Sequence, residues 1–220
     1  MSNIFAETSI PKMAANILES FTRADADCRH QGIDWYPSTN RLVMDFASAA
    51  DLDPSVVAAI VAVLSPRSAW GTNVRNTAAV LVESGHLTHA AASAILKRHG
   101  YSARDSQGND ALSAPRGLAR SITKARAIAE SESTVHVTGQ KVLSFYWNIL
   151  DPVHSDEVTI DAWAAGVAIG RRLNNADMSG LNARQYRRVA DAYRMAATML
   201  RLRPHVLQAI TWCELRGRNR

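Results

Sequence analysis

From residue 38 onward, apolar and polar positions recur with the period of an α-helix rather than that of a strand. Ser38 stands where it can cap a helix whose apolar positions are Leu42, Val43, Phe46 and Ala49-Ala50. Asp53-Pro54 reads as a cap followed by a first helical residue, where the missing N–H of proline does no harm. Residues 56–64 are apolar nearly all round, which predicts a helix enclosed on every side. Ser65-Pro66 ends it, because the residue before a proline avoids the α region. Further helices are predicted over about 71–83, 87–99, 115–130, 138–150, 159–173 and 182–200, with a last one starting at Pro204. Residues 101–114 are polar and contain Gly108, so they read as a loop.

Strand-like alternation occurs only around 134–137 and 157–160, each too short to build a sheet. Roughly ten helices of ordinary length make an all-α domain. At 220 residues, with 47% hydrophobic, the chain can bury an ordinary core. No run approaches the ~18 apolar residues of a membrane span. The N-terminus lacks the basic region and apolar core of a secretory signal, so the expected location is the cytoplasm and no membrane partner is expected. Cys28 and Cys213 have no Cys or His partner at ligand spacing, which excludes a zinc finger or a four-cysteine cluster; no metal or cofactor is required by any motif.

The charge distribution says more than the net +5. Residues 171–220 hold 11 Arg against Asp177, Asp191 and Glu214, a balance of +8, while residues 1–170 hold 14 Lys and Arg against 17 acids, a balance of −3. A basic C-terminal part points to a polyanion. Arg171, Arg172, Arg184, Arg187 and Arg188 are its candidates for backbone contacts.

The chemistry concentrates in residues 135–164, VHVTGQKVLSFYWNILDPVHSDEVTIDAWA. A turn containing Gly139 opens a helix, and Lys141 sits in its first turn. Backbone N–H groups at such a glycine turn suit a phosphate. Twenty residues later Asp161 begins the next helix, where it can cap that helix and also face a site.

This stretch resembles the helix-hairpin-helix DNA glycosylase superfamily, which includes endonuclease-III-like enzymes and 8-oxoguanine glycosylases. The family hairpin, Leu-Pro-Gly-Val-Gly-Arg-Lys, falls on residues 135–141, with Gly139 as its second glycine and Lys141 as its lysine. His136 takes the proline place and Val137 that of the first glycine. The family's catalytic-aspartate segment falls on Ile160-Asp161-Ala162-Trp163, with Trp163 in place of its histidine. Upstream, the apolar helix before Ser65-Pro66-Arg67 matches the family's Leu-Ser-x-Gln helix, which puts Arg67 at the wedge position and Asn73 at the loop asparagine. Lys124-Ala125 matches the lysine-alanine of the helix before the hairpin.

The resemblance implies an all-α, two-lobed fold, with one lobe of helices over about 54–150 and the other formed by 1–53 and 151–220, and a site in the cleft between them. Its substrate would be duplex DNA with one base extruded, since a stacked base cannot be reached. Lys141 would attack the sugar C1′, and Asp161 would stabilise the cationic sugar or deprotonate the nucleophile. Arg67 would fill the gap in the stack. Asn73, Lys124, Thr138, Gly139 and Gln140 would hold the DNA. Trp70, Tyr146, Trp163 and His136 would line the base pocket, with Phe145 and Trp147 beside them. Three functions fit these residues: glycosidic cleavage with or without strand lysis, base modification of the kind attributed to phage relatives (transfer of an amino acid or polyamine to an activated thymine derivative), and DNA binding without chemistry.

Overall fold

In the computed structural model, which describes residues 3–217, every regular element is a helix. The chain forms two compact units: Met1–Ser38 together with Asp151–Arg220, and Thr39–Leu150. The break therefore falls at 38/39, not at the expected 53/54.

The first unit holds α1 (Ile4–Glu7), α2 (Ile10–Arg23), the start of α3 (Ala26–Ala50), α9 (Ala162–Ile169), α10 (Asn175–Ser179), α11 (Ala183–Leu200) and α12 (Pro204–Gly217). Ser9 caps α2 by accepting from Lys12 N–H, and Pro11 lies in its first turn, where its N–H is not needed. The apolar stripe of α2, including Met13 and Ile17, packs against α9 and α11 around Tyr193, Val189 and Ala165, all 0% exposed. Residues 157–160 run extended but pair with no strand. They are held by a side chain instead: Ile160 N–H donates to the Tyr186 hydroxyl at 3.0 Å, and that hydroxyl donates to the Val158 carbonyl at 2.8 Å.

The second unit holds the rest of α3, then α4 (Pro54–Leu64), α5 (Trp70–Glu83), α6 (His89–Arg98), α7 (Ala119–Ser131), a 3-10 turn (Thr134–His136) and α8 (Gln140–Leu150). Helix α4 is its axis. All nine residues from Val56 to Leu64 are buried, with α5, α7 and α8 packed around them. Asp53 caps α4, accepting from Ser55 N–H at 2.8 Å.

Two expected boundaries move. Ser38 caps nothing: its hydroxyl donates to Asp34, and α3 runs straight through with Pro37 inside it. Proline removes one intrahelical bond, which would have gone to the Ile33 carbonyl. Ile33 is exposed, so water can take that acceptor and the helix continues. Helix α9 stops at Ile169 rather than near 173, because Gly170 turns left-handed (φ 83°) and returns its N–H to Gly166 and Val167. Among the described residues no helix is long and apolar enough to cross a membrane, and no group of three or more His, Cys, Asp or Glu could hold a metal.

Candidate nucleic-acid interface

In the second unit, α4 ends in a tight turn, Ser65-Pro66-Arg67-Ser68, closed by Ser68 N–H to the Ser65 carbonyl at 3.3 Å. Arg67 is its third residue, exposed, with a left-handed φ of 56°. That conformation suits Gly or Asn and costs other L-residues about 1–2 kcal/mol. Arg67 has no hydrogen-bond or ion-pair partner among the described residues.

Trp70 opens α5 three residues later. Its indole N–H donates to the Tyr101 hydroxyl, whose pKa is pushed up mainly by burial. Its ring meets Phe145 of α8 edge-on, with centroids 6.4 Å apart. Phe145 stands one helical turn beyond Lys141 on the same face of α8. The Trp70–Phe145 contact joins α5, which starts three residues after Arg67, to α8, which carries Lys141 one turn before Phe145. Lys141 is partly buried and has no ion-pair or hydrogen-bond partner among the described residues.

The segment joining α7 and α8 holds the 3-10 turn and then Gly139 in the left-handed region (φ 89°). Val137, at the place of the family's first glycine, has an ordinary φ of −74° and is buried, so a valine is accommodated there without strain. Thr138 and Gly139 are exposed and Gln140 and His136 partly so, which leaves the turn's backbone open to a phosphate.

Three predicted site residues do other work. Asn73 is not in a loop and is only 1% exposed: it lies in the first turn of α5 and donates to the Val61 carbonyl at 3.0 Å. That carbonyl belongs to the last turn of α4, where no backbone N–H of the helix reaches it. Asn73 therefore ties α5 to α4 and sets the path of the Arg67 turn, and is not available to DNA. Lys124 closes the hairpin from inside, donating to Thr138 Oγ1 at 2.6 Å and to the His136 carbonyl at 3.3 Å. Tyr146 is core: it is 6% exposed and hydrogen-bonded to Ser55 at the start of α4. It lines no base pocket. Phe145 is likewise buried, whereas Trp147 is 48% exposed.

In the first unit, Asp161 caps α9, accepting from Ala164 N–H at 2.8 Å, and is partly exposed. Trp163, two residues on, carries the Arg172 guanidinium 6.0 Å from its ring centroid. Much of the basic C-terminal stretch is committed internally. Arg171 forks onto Asp177 (2.8 and 2.9 Å) and holds that carboxyl at about 2. Arg188 donates to the carbonyls of Phe5 and Thr8. Arg203 and Arg194 converge on Asp156. Arg184 and Arg187 remain exposed with no described partner.

Sequence reasoning missed Tyr101 and Arg75. Residues 101–118 are ordered around Asp105, which accepts from the N–H groups of Gln107 and Asn109 and from Arg116 Nη1. Asn76 fastens them to α5 through Arg116, in both directions. Arg75 lies one turn after Gly71, its guanidinium packed where a Cβ on Gly71 would touch it at 3.6 Å. Only the i, i+4 spacing of Gly71 and Arg75 hinted at this.

The model of DUF7178, described as a family of unknown function, matches residues 1–219. The chain belongs to that family. No curated protein and no solved structure matches it.

Proposed function

We propose that this protein has the two-lobed helix-hairpin-helix DNA glycosylase-like fold, extrudes a damaged or modified base from duplex DNA, and cleaves its N-glycosidic bond. The observation that carries the reading is the Trp70–Phe145 contact, which links the start of α5, just after the Arg67 turn, to the helix that bears Lys141. An exposed, unpaired arginine with a left-handed backbone lies three residues before Trp70, whose ring meets Phe145 on the helix that carries a partly buried, unpaired lysine. A planar cation can fill the gap left by an extruded base and stack on its orphaned partner. The Gly139 turn, held shut by Lys124, offers open backbone N–H groups to the phosphate chain.

In the reaction, the Lys141 nitrogen bonds to C1′ as the bond from C1′ to the base nitrogen breaks, and the base leaves with one proton from the attacking amine; the C1′–O4′ bond then breaks and O4′ takes up the next. The sugar opens to an imine, which allows strand cleavage afterwards. Asp161 supplies a carboxylate for the cationic sugar in this scheme.

The test is borohydride trapping on duplex oligonucleotides bearing a panel of damaged and modified bases. The expected result is a covalent protein–DNA adduct that disappears in Lys141→Gln. An adduct that survives Lys141→Gln refutes the assignment of the nucleophile. If no substrate gives an adduct or releases a base, glycosylase chemistry is refuted. Mass analysis of the digested nucleosides then separates base modification, in which the glycosidic bond persists in an altered nucleoside, from binding alone.

A further inference from the structure

Within the first unit, α3 and α12 meet backbone to backbone. A Cβ on Gly32 would stand 2.5 Å from the amide nitrogen of Ile210 and 2.6 Å from its Cα, so only glycine fits at this crossing. The two helices run antiparallel through it. On one side, the Tyr36 hydroxyl donates to Gln208 Oε1 at 3.0 Å and the Tyr36 ring meets His205 edge-on at 5.0 Å. On the other side, one turn before Gly32, Cys28 faces Cys213, which lies one turn beyond Ile210. The Cys213 thiol donates to Gln31 Oε1 at 3.2 Å, which holds its sulfur against α3. Both thiols are free and both are partly exposed.

A disulfide needs Cα atoms about 4.4–6.8 Å apart. Packed helices usually keep their axes 8–10 Å apart, too far for most facing pairs. A glycine contact brings the axes closer, and here two cysteines sit in register one turn from that contact.

We infer that Cys28 and Cys213 are a reversible dithiol–disulfide pair, an oxidation site that staples α3 to α12 when the protein meets a peroxide-class oxidant. Peroxide oxidises the Cys213 sulfur to a sulfenic acid: an S–O bond forms, the O–O bond breaks, and the second oxygen leaves with the thiol proton as water. The Cys28 sulfur then attacks the Cys213 sulfur: the S–S bond forms, the S–O bond breaks, and the departing oxygen carries off the Cys28 proton as water. In total, two thiols and one hydrogen peroxide give one disulfide and two waters. The Cys28 thiol is pushed up to about 12 by burial, by Cys213 beside it and by the Asp25 carboxylate it hydrogen-bonds, so the pair is a slow responder at neutral pH and closes faster as pH rises.

The test treats the purified full chain with stoichiometric hydrogen peroxide at mildly alkaline pH. Both thiols should be lost together, the mass should fall by two hydrogens, and a linked peptide should join residues 28 and 213 within one chain. A thiol reductant should reverse all three. Because the closed loop spans most of the chain, the midpoint of thermal unfolding should rise by roughly 5–15 °C on oxidation. Cys28→Ser and Cys213→Ser should each abolish both the link and the rise. Oxygen addition to one cysteine with the other thiol left intact, a link between chains, or unchanged thiols would each overturn the inference.

Discussion

Asn73→Ala separates a structural asparagine from a DNA-contacting one. The substitution removes the amide that donates to the Val61 carbonyl at 3.0 Å. No other group takes that acceptor over, because Ser65 N–H goes to the Ala62 carbonyl (3.2 Å) and Val61 is 0% exposed. An orphaned buried acceptor costs about 1–3 kcal/mol, and the small void left by the amide adds to it, so the expected loss is about 2–3 kcal/mol. For a domain of this size that lowers the unfolding midpoint by about 5–10 °C. The assay is urea unfolding followed by helical circular dichroism, alongside a DNA-binding titration on the folded variant. The expected outcome is a large stability loss with little change in affinity per folded molecule. A variant as stable as the parent that binds DNA tenfold more weakly would refute this reasoning and return Asn73 to the interface.

Three further outcomes follow from the same geometry. Arg67→Asn relieves a left-handed backbone at an exposed turn, so it should leave stability unchanged or raise it by up to about 1 kcal/mol while weakening DNA binding or base release; equal activity would remove Arg67 from the wedge role. Asp161→Asn keeps an N-cap acceptor for Ala164, so thermal unfolding should stay within about 0.5 kcal/mol of the parent while base release is lost; full activity in this variant would make Asp161 a cap only. His205 is held at about 4 chiefly by burial, below its usual 6.5, so the fold prefers it neutral. Stability is therefore flat above pH 6.5 and falls as pH drops from 6.5 towards 4, by about 2 kcal/mol at pH 5 from this residue alone. Unfolding scans at pH 5 and 7 should show that difference shrinking in His205→Gln.

What the sequence made legible were features that one residue type and its neighbours decide. The enclosed helix α4 follows from an unbroken apolar run, and the caps Asp53, Asp161 and Asn182 follow from short polar side chains ahead of helical stretches. The all-helical class follows from the same periodicity. Direction was not legible. Periodicity alone puts Asn73 on a helix, but only the packing of α5 on α4 shows that its amide points at a buried carbonyl. Lys124 and Tyr146 have residue types that suit DNA and a base pocket, yet each found a partner inside its own unit that a motif does not encode. Ser38 looked like a cap because its short hydroxyl precedes an apolar periodic stretch, whereas the helix already running through Pro37 shows only in the fold. The arginines after residue 170 form a charge excess in the sequence, but Arg171 and Arg203 pair with surface carboxylates and Arg188 with carbonyls, so the unpaired basic surface is smaller than the count suggests.

The split make-up of the first unit dictates an order of events during synthesis. Residues 39–150 emerge from the ribosome as one uninterrupted stretch and can collapse around α4 as they appear. Helix α2 ends at Arg23, while α11, its main packing partner, begins at Ala183. The stripe carrying Met13 and Ile17 must therefore wait, unburied, until most of the chain has been translated. During that interval the nascent polypeptide presents a greasy helix to the cell, so chaperone demand and aggregation in overexpression should trace to the first 23 residues rather than to the hairpin.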